Sequence, residues 1–150
     1  MDFYTTTSFR ESVAELTKKS KNGYMTVVKD VCDALKDMPD NILRDTNDRV
    51  YQYPEYRVVK LRIPNSGQKL ARANAFRLIY WVSMLHDCVI LMRVYPKRGA
   101  KAIEELKDTE YTRLQMEAFN ESQMRMLHQV DVNNLLADLS VTASVKKDAD

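Results

Sequence analysis

The sequence predicts an α+β domain: an N-terminal helical hairpin packed on a twisted antiparallel sheet, with an additional helix on the C-terminal side. Three observations predict it. Two segments of helical periodicity fill the first 38 residues and are joined at Asn22-Gly23. Three runs rich in Val, Ile, Leu, Phe, Tyr and Trp then follow at 56–63, 75–82 and 88–95. Past Gly99 the chain turns helical and acidic.

In chain order, 3–6 (Phe, Tyr, Thr, Thr) is a short β-prone start. Ser8-x-x-Glu11 has the form of a capping box. The helix it opens is expected to reach about Lys21, with Phe9, Val13 and Leu16 on one stripe. Lys18, Lys19 and Lys21 fall in its last turn, and Gly23 ends it. A second helix is expected over 25–38, from Val27, Val28, Val31, Leu35 and Met38, and Pro39 stops it. Residues 40–49 read as a polar connector with one helical turn at Ile42–Leu43, and 50–53 as a short strand. Pro54 keeps that strand away from the sheet centre.

Strand alternation sorts the next side chains onto two faces. Val59, Leu61 and Ile63 share one face, and Lys60 and Arg62 the other. Phe76, Leu78, Tyr80 and Val82 share a face, and Arg77, Ile79, Trp81 and Ser83 the opposite one. Pro64 and Ser66-Gly67 mark a loop, and 83–87 a hairpin turn. Residues 100–107 read as a short helix. Thr109 is placed as the cap of another that runs to about Leu127, with Tyr111, Leu114, Phe119 and Met126 on a loose stripe. Met116, Met124 and Met126 are expected to fill core gaps. The main domain is expected to span 1–127. Residues 128–150 are expected to form a short amphipathic helix at 132–139 and a frayed polar tail.

Charge is the strongest clue to function. Residues 57–101 hold ten Lys or Arg and one acid, about +9, whereas the whole chain of 150 residues is only +2. A near-neutral total therefore hides a polarised protein. Cations on fixed sheet backbone neutralise several phosphates together, so a polyanion such as RNA is the expected partner. Arg57, Lys60, Arg62, Lys69, Arg72, Arg77, Arg93, Lys97, Arg98 and Lys101 are the cations of this candidate RNA-binding surface.

The motifs that are missing narrow the chemistry. The sequence has no P-loop, no GxGxxG, no HExxH and no GxSxG. His86 and His128, its only histidines, are expected on the surface. Cys32 and Cys88 have no partner at metal-ligand spacing, so neither metal nor cofactor is expected. The N-terminus lacks the pattern of a secretory signal and no run of apolar residues reaches membrane-spanning length, so a reducing cytoplasm is expected. A Lys and Arg cluster suffices for one reaction. The RNA 2′-OH attacks the adjacent phosphate, and a 2′,3′-cyclic phosphate and a 5′-OH end are released. An enzyme for this aligns the attack, stabilises the phosphorane and moves protons.

Over roughly 3–106 the order of these pieces resembles the RelE/ParE superfamily of bacterial toxin–antitoxin toxins, nearer its HigB-like branch. The segments that carry it are SFRESVAELTKK, YRVVKLRIPNSGQK, AFRLIYWV and VILMRVYPKRG. The resemblance implies an endoribonuclease that cuts mRNA on the ribosome, and a cognate antitoxin that covers its active face. It implies Arg77 and Arg98 as phosphate stabilisers and Lys60, beside Arg62, as general base. The chain departs from the pattern in having Ala73-Asn74-Ala75 where glycines are common, and in having no Tyr after Arg98 until Tyr111. A ParE-like topoisomerase inhibitor and a non-catalytic nucleic-acid-binding protein of the same fold are the alternative expectations.

Overall fold

The computed structural model describes residues 1–18, 23–46, 48–71, 75–135 and 138–139. It is a mixed α/β fold with four helices and one open six-stranded sheet. The strands are β1 (Asp2–Thr5), β2 (Arg49–Gln52), β3 (Tyr56–Ile63), β4 (Phe76–Ser83), β5 (Cys88–Pro96) and β6 (His128–Val130), in the spatial order β2-β3-β4-β5-β1-β6. Neighbouring strands are antiparallel except β1, which runs parallel to β5. The sheet is therefore not wholly antiparallel, as was expected. The three helices between β1 and β2 carry the chain back across one face, which leaves β1 free to enter beside β5.

That helical hairpin is α1 (Thr7–Thr17) and α2 (Val27–Lys36), followed by a short α3 (Asp40–Arg44). Phe9, Val13 and Leu16 of α1 are buried with Val27, Val28, Val31 and Leu35 of α2 and Leu43 of α3. They meet Val59, Leu61, Ile63, Phe76, Leu78, Tyr80 and Val82 from the sheet. The period-2 and period-3.6 patterns thus converge on one core, as strand and helix alternation require. The Tyr80 hydroxyl is buried on this side and donates to the Leu43 carbonyl at 3.0 Å.

The opposite face has its own cover. Helix α4 (Asp108–Gln123) lays Tyr111, Leu114 and Ala118 on Val58, Ile79, Ile90, Met92 and Tyr95. Polar ties hold it at both ends. Tyr51 of β2 donates to Asp108 at 2.8 Å and Tyr56 of β3 to Gln115 at 2.9 Å. Past the end of β1, Thr7 and Ser8 donate to Glu121 and Glu117. At about 1.5 Å per residue the helix is about 24 Å long, enough to cross five strands at about 4.8 Å spacing.

Several local expectations change. The N-cap of α1 is Thr6, whose hydroxyl accepts from the Phe9 amide at 3.2 Å. Ser8 gives its hydroxyl to Glu117 instead, and Glu11 is exposed, so no capping box forms. Helix α1 ends at Thr17, and Lys19, Lys21 and Asn22 lie outside the described residues. Helix α2 is shorter than expected by about a residue or two at each end. Residues 100–107 form no helix. Ile103 and Leu106 drop into the α4-side core while the chain crosses from the end of β5 to the start of α4. Lys107 is the N-cap of α4, which places Thr109 inside the first turn.

The expected stripe on α4 is also corrected. Phe119 is 56% exposed and Met126 48%, and Ala118 takes the buried place. Met116 and Met124 are exposed as well, rather than filling the core. Residues 128–130 form a strand that pairs with β1; of the helix expected over 132–139, 132–134 form a 3-10 turn while 135 and 138–139 are helical. Most of the expected tail, 140–150, lies outside the described residues.

Candidate functional site

Strand alternation puts Lys60 and Arg62 of β3 on the α4 side of the sheet, and register aligns them with their neighbours. Arg62 faces Arg77 across β3 and β4, and Arg77 faces Tyr95 across β4 and β5. One step along the strands, Lys60 faces Ile79, which faces Arg93. Three cations, Lys60, Arg62 and Arg77, thus lie on two adjacent rows with Tyr95 and Arg93 closing them.

The last two reach this face only because β5 contains a bulge. Ile79 pairs with Arg93 while Tyr80 pairs with Leu91, so Met92 is the extra residue. Val89 and Leu91 pack toward the helical hairpin, and strict alternation would send Arg93 and Tyr95 after them. The bulge reverses that parity: Val94 enters the hairpin core, and Arg93 and Tyr95 turn to the α4 side. A strand whose strict parity would bury an arginine between Val and Leu is the sequence signal for such a bulge.

Helix α4 narrows the cationic surface. Arg93 donates to Glu110 of α4 at 2.9 Å, and Arg113 donates to the same oxygen at 2.6 Å. Arg57 sits on the other face, where it donates to the Arg44 carbonyl at 2.5 Å and to Asp45 at 3.2 Å. Lys101 is paired with Glu15 of α1, and the Lys97 ammonium meets the Glu104 carbonyl. By contrast, Lys60 and Arg62 have no carboxylate within ion-pair distance among the described residues. Cations without a fixed counter-charge are the ones available to an anion from solution.

Arg77 is the most enclosed of the set at 6% exposure, and it donates to the Phe76 carbonyl at 3.1 Å. Burial, and then the charge of Arg62, lower its pKa from the ordinary guanidinium value, while Tyr95 and Asp48 oppose them. It stays charged at neutral pH, since guanidinium starts so high. Burial raises the hydroxyl pKa of Tyr95, and burial again, followed by Tyr95, raises that of Tyr111. The two side chains are buried in the same core cluster under α4. Both therefore remain protonated at neutral pH and are equipped to donate a proton rather than to take one.

Sequence reasoning admits Tyr80 or Tyr95 as the substitute for the absent Tyr after Arg98, but does not bring Tyr95 together with Tyr111, because one lies on a bulged strand and the other on a helix 16 residues later. Tyr80 is excluded from this face by its burial under α3. Arg98 lies beyond the end of β5 with an exposed side chain, and its carbonyl accepts from Tyr24 at 2.8 Å. The structure thus places Arg98 past the strand ends, at the rim, and not in the Arg62–Arg77 row. Lys69 is exposed on the β3–β4 loop, and Arg72 lies outside the described residues. His86 and His128 are exposed, as expected. Among the described residues no cluster of His, Cys, Asp and Glu has the makings of a metal site, and no helix is long and apolar enough to cross a membrane.

Comparison with protein-family models, with curated proteins and with solved structures found no match to this chain.

Proposed function

We propose that this chain is an endoribonuclease that cuts mRNA on the ribosome, and the toxin of a toxin–antitoxin pair. The observation that carries the reading is the cross-strand row Arg62–Arg77–Tyr95 with Lys60 beside it. Two guanidiniums on adjacent strands match the equatorial oxygens of a phosphorane, and the rigid sheet holds them there before the charge develops. Lys60, on the row next to Arg62 and Arg77, is assigned the role of base toward the 2′-OH. Tyr95, backed by Tyr111, donates to the departing 5′ oxygen. In the step the 2′ oxygen bonds to phosphorus, the P–O5′ bond breaks, and one proton leaves the 2′ oxygen as another reaches the 5′ oxygen. Lys69 and Arg98 are assigned to the RNA backbone beyond the scissile phosphate, and Arg72 with them from its sequence position; Lys97 and Lys101 are left out, since the Glu104 carbonyl and Glu15 hold them. Arg93 and Arg57 are assigned structural roles, since Glu110 and Asp45 hold them.

The reading implies a cytoplasmic setting and a cognate antitoxin, neither of which has a direct mark on the molecule. A second reading, RNA binding without turnover, is favoured by the 6% exposure of Arg77. A guanidinium so enclosed meets a phosphate only if the RNA reaches down to the sheet. The test is a cell-free translation reaction with mRNA ends mapped by primer extension, with and without translating ribosomes. New ends that require ribosomes support the nuclease. Salt-sensitive RNA binding with intact mRNA supports the second reading. Neither binding nor cleavage would turn attention to a topoisomerase-supercoiling assay.

A further inference from the structure

The strand ends next to Arg62 and Arg77 are bordered by two loops, and both are tied to one short piece of chain at the start of α2. The β3–β4 loop is held through a buried polar node. Thr26 donates to Asp30 at 2.8 Å, and the same carboxylate oxygen accepts from the Ser66 amide at 3.0 Å. The Gly67 amide donates to the Thr26 hydroxyl at 3.1 Å, and the Asn65 side-chain amide to the Gly23 carbonyl at 2.8 Å. Asn65 also accepts from the Gln68 amide and pairs with Leu70 across the loop. Asp30 is 3% exposed. A buried carboxylate is costly, and here backbone and hydroxyl donors offset that cost.

The β5–α4 link is held from the same piece. The buried Tyr24 packs on Phe76, donates its hydroxyl to the Arg98 carbonyl at 2.8 Å, and accepts from the Lys101 amide at 3.2 Å. Gly99 lies between at φ +93°, where a Cβ would stand 2.2 Å from that hydroxyl. Lys69, the exposed cation of the first loop, is in the left-handed region at φ +53°. The start of α2 thus fixes both exposed basic loops, one through the Thr26–Asp30 node and the other through the Tyr24 hydroxyl.

We propose that Tyr24 and Thr26, with Asp30, are positioning residues: they form a clamp that holds Lys69 and Arg98 at the rim of the Arg62–Arg77 site to grip the backbone of single-stranded RNA. The inference rests on the RNA reading above. It adds that affinity for RNA is set from the helical-hairpin side of the sheet, by residues that never touch the ligand. Loss of the clamp leaves the row of cations intact but raises the entropy lost when the rim cations engage.

The test uses the full chain and a short, fluorescently labelled single-stranded oligoribonucleotide. Thr26→Val and Tyr24→Phe remove the clamp hydroxyls, Thr26→Ser restores one, and Val31→Ala loosens the α2 core without touching the node. Lys69→Ala is expected to weaken binding about fivefold in the native background and less than about twofold in Thr26→Val, because an unheld cation has less to lose. Arg98→Ala is expected to behave likewise against Tyr24→Phe. Thr26→Ser restores the native effect, and in Val31→Ala the Lys69 effect is undiminished. Amide exchange at Ser66 and Gly67 is expected to speed about tenfold in Thr26→Val. Additive effects of Lys69→Ala and Thr26→Val, or an equal loss of the Lys69 effect in Val31→Ala, would overturn the clamp. Absence of RNA binding by the unmodified chain would instead overturn the RNA reading, and with it the clamp's purpose.

Discussion

Removing Glu121 should cost more stability than removing any other acid on α4, because it caps a helix far from it in sequence. Its two oxygens take separate donors, the Thr7 amide at 2.9 Å and the Thr7 hydroxyl at 2.6 Å, and the side chain is buried at 8% exposure. Hydrogen bonds to a charged partner contribute about 1.5–3 kcal/mol each when one side is removed, and the helix N-terminus adds about 0.3–1 kcal/mol. Thr7 is only half-buried, so water recovers part of this. The net expectation for Glu121→Ala is about 2–3 kcal/mol. Glu117→Ala, with a more exposed carboxylate on the Ser8 amide and hydroxyl, is expected to cost about 1–2 kcal/mol. Urea unfolding followed by far-UV circular dichroism reads both. The control is Glu11→Ala, the acid that a local capping box would use. It is exposed and should change stability by less than about 0.5 kcal/mol. A Glu121→Ala variant as stable as the native chain, or a Glu11→Ala variant that loses as much, would refute the tie between the first amides of α1 and α4.

Three further outcomes follow from the packing. Leu114→Ala, at a fully buried site between α4 and the sheet, is expected to cost about 2–5 kcal/mol by the same unfolding assay. Gly99→Ala meets both a positive φ and the Tyr24 hydroxyl, and is expected to lower stability by about 1–3 kcal/mol; a neutral result would contradict the described turn. Stability should fall at alkaline pH. Tyr80, Tyr95 and Tyr111 are all raised above the ordinary tyrosine value of 10.0, chiefly by burial, so the unfolded chain ionises first. The stabilisation is complete below pH 10 and lost as pH climbs through the raised folded values. Each such tyrosine contributes up to about 1.4 kcal/mol per pH unit there. Unfolding midpoints of Tyr111→Phe measured from pH 8 to 11 should show a shallower fall than the native chain.

Strands were readable from the sequence because each carries its own alternation. Val59, Leu61 and Ile63 against Lys60 and Arg62 defined two faces with no knowledge of what covers them. The same holds for Phe9, Val13 and Leu16 on α1 and for Val27, Val31 and Leu35 on α2. What escaped depends on contacts between distant segments. Thr6 caps α1 through the Phe9 amide, but the Thr7 and Ser8 amides are taken by Glu121 and Glu117, more than a hundred positions away, so a local motif at Ser8 and Glu11 was the wrong guide. The buried seam of α4 uses Ala118, a residue with too little side chain to register as apolar signal, while the larger Phe119 and Met126 face out. The missed cover over the cationic face has the same origin. The site residues followed the pattern: Lys60, Arg62 and Arg77 were legible as one face, but Arg93 and Tyr95 needed the bulge, and Tyr111 needed α4.

Helix α4 is thus part of the site's design rather than an appendage. It neutralises Arg93 through Glu110, buries Tyr111 in the same core cluster as Tyr95, and leaves Arg62 exposed and Lys60 half-buried, with no fixed carboxylate partner among the described residues. A +9 stretch is reduced to a compact cationic patch whose central arginine is shielded from bulk water, where its charge acts most strongly. Arg77 is therefore the residue on which the account turns. The deciding measurement is the single-turnover rate of mRNA cleavage on translating ribosomes by the native chain, Arg77→Lys and Arg77→Ala, with the new ends analysed for 2′,3′-cyclic phosphate and 5′-hydroxyl. The account predicts those ends, a rate about 10²–10³ lower in Arg77→Ala, and little recovery in Arg77→Lys, which keeps the charge but not the planar fork. Equal rates in all three folded proteins, or mRNA left intact by the native chain, would contradict it.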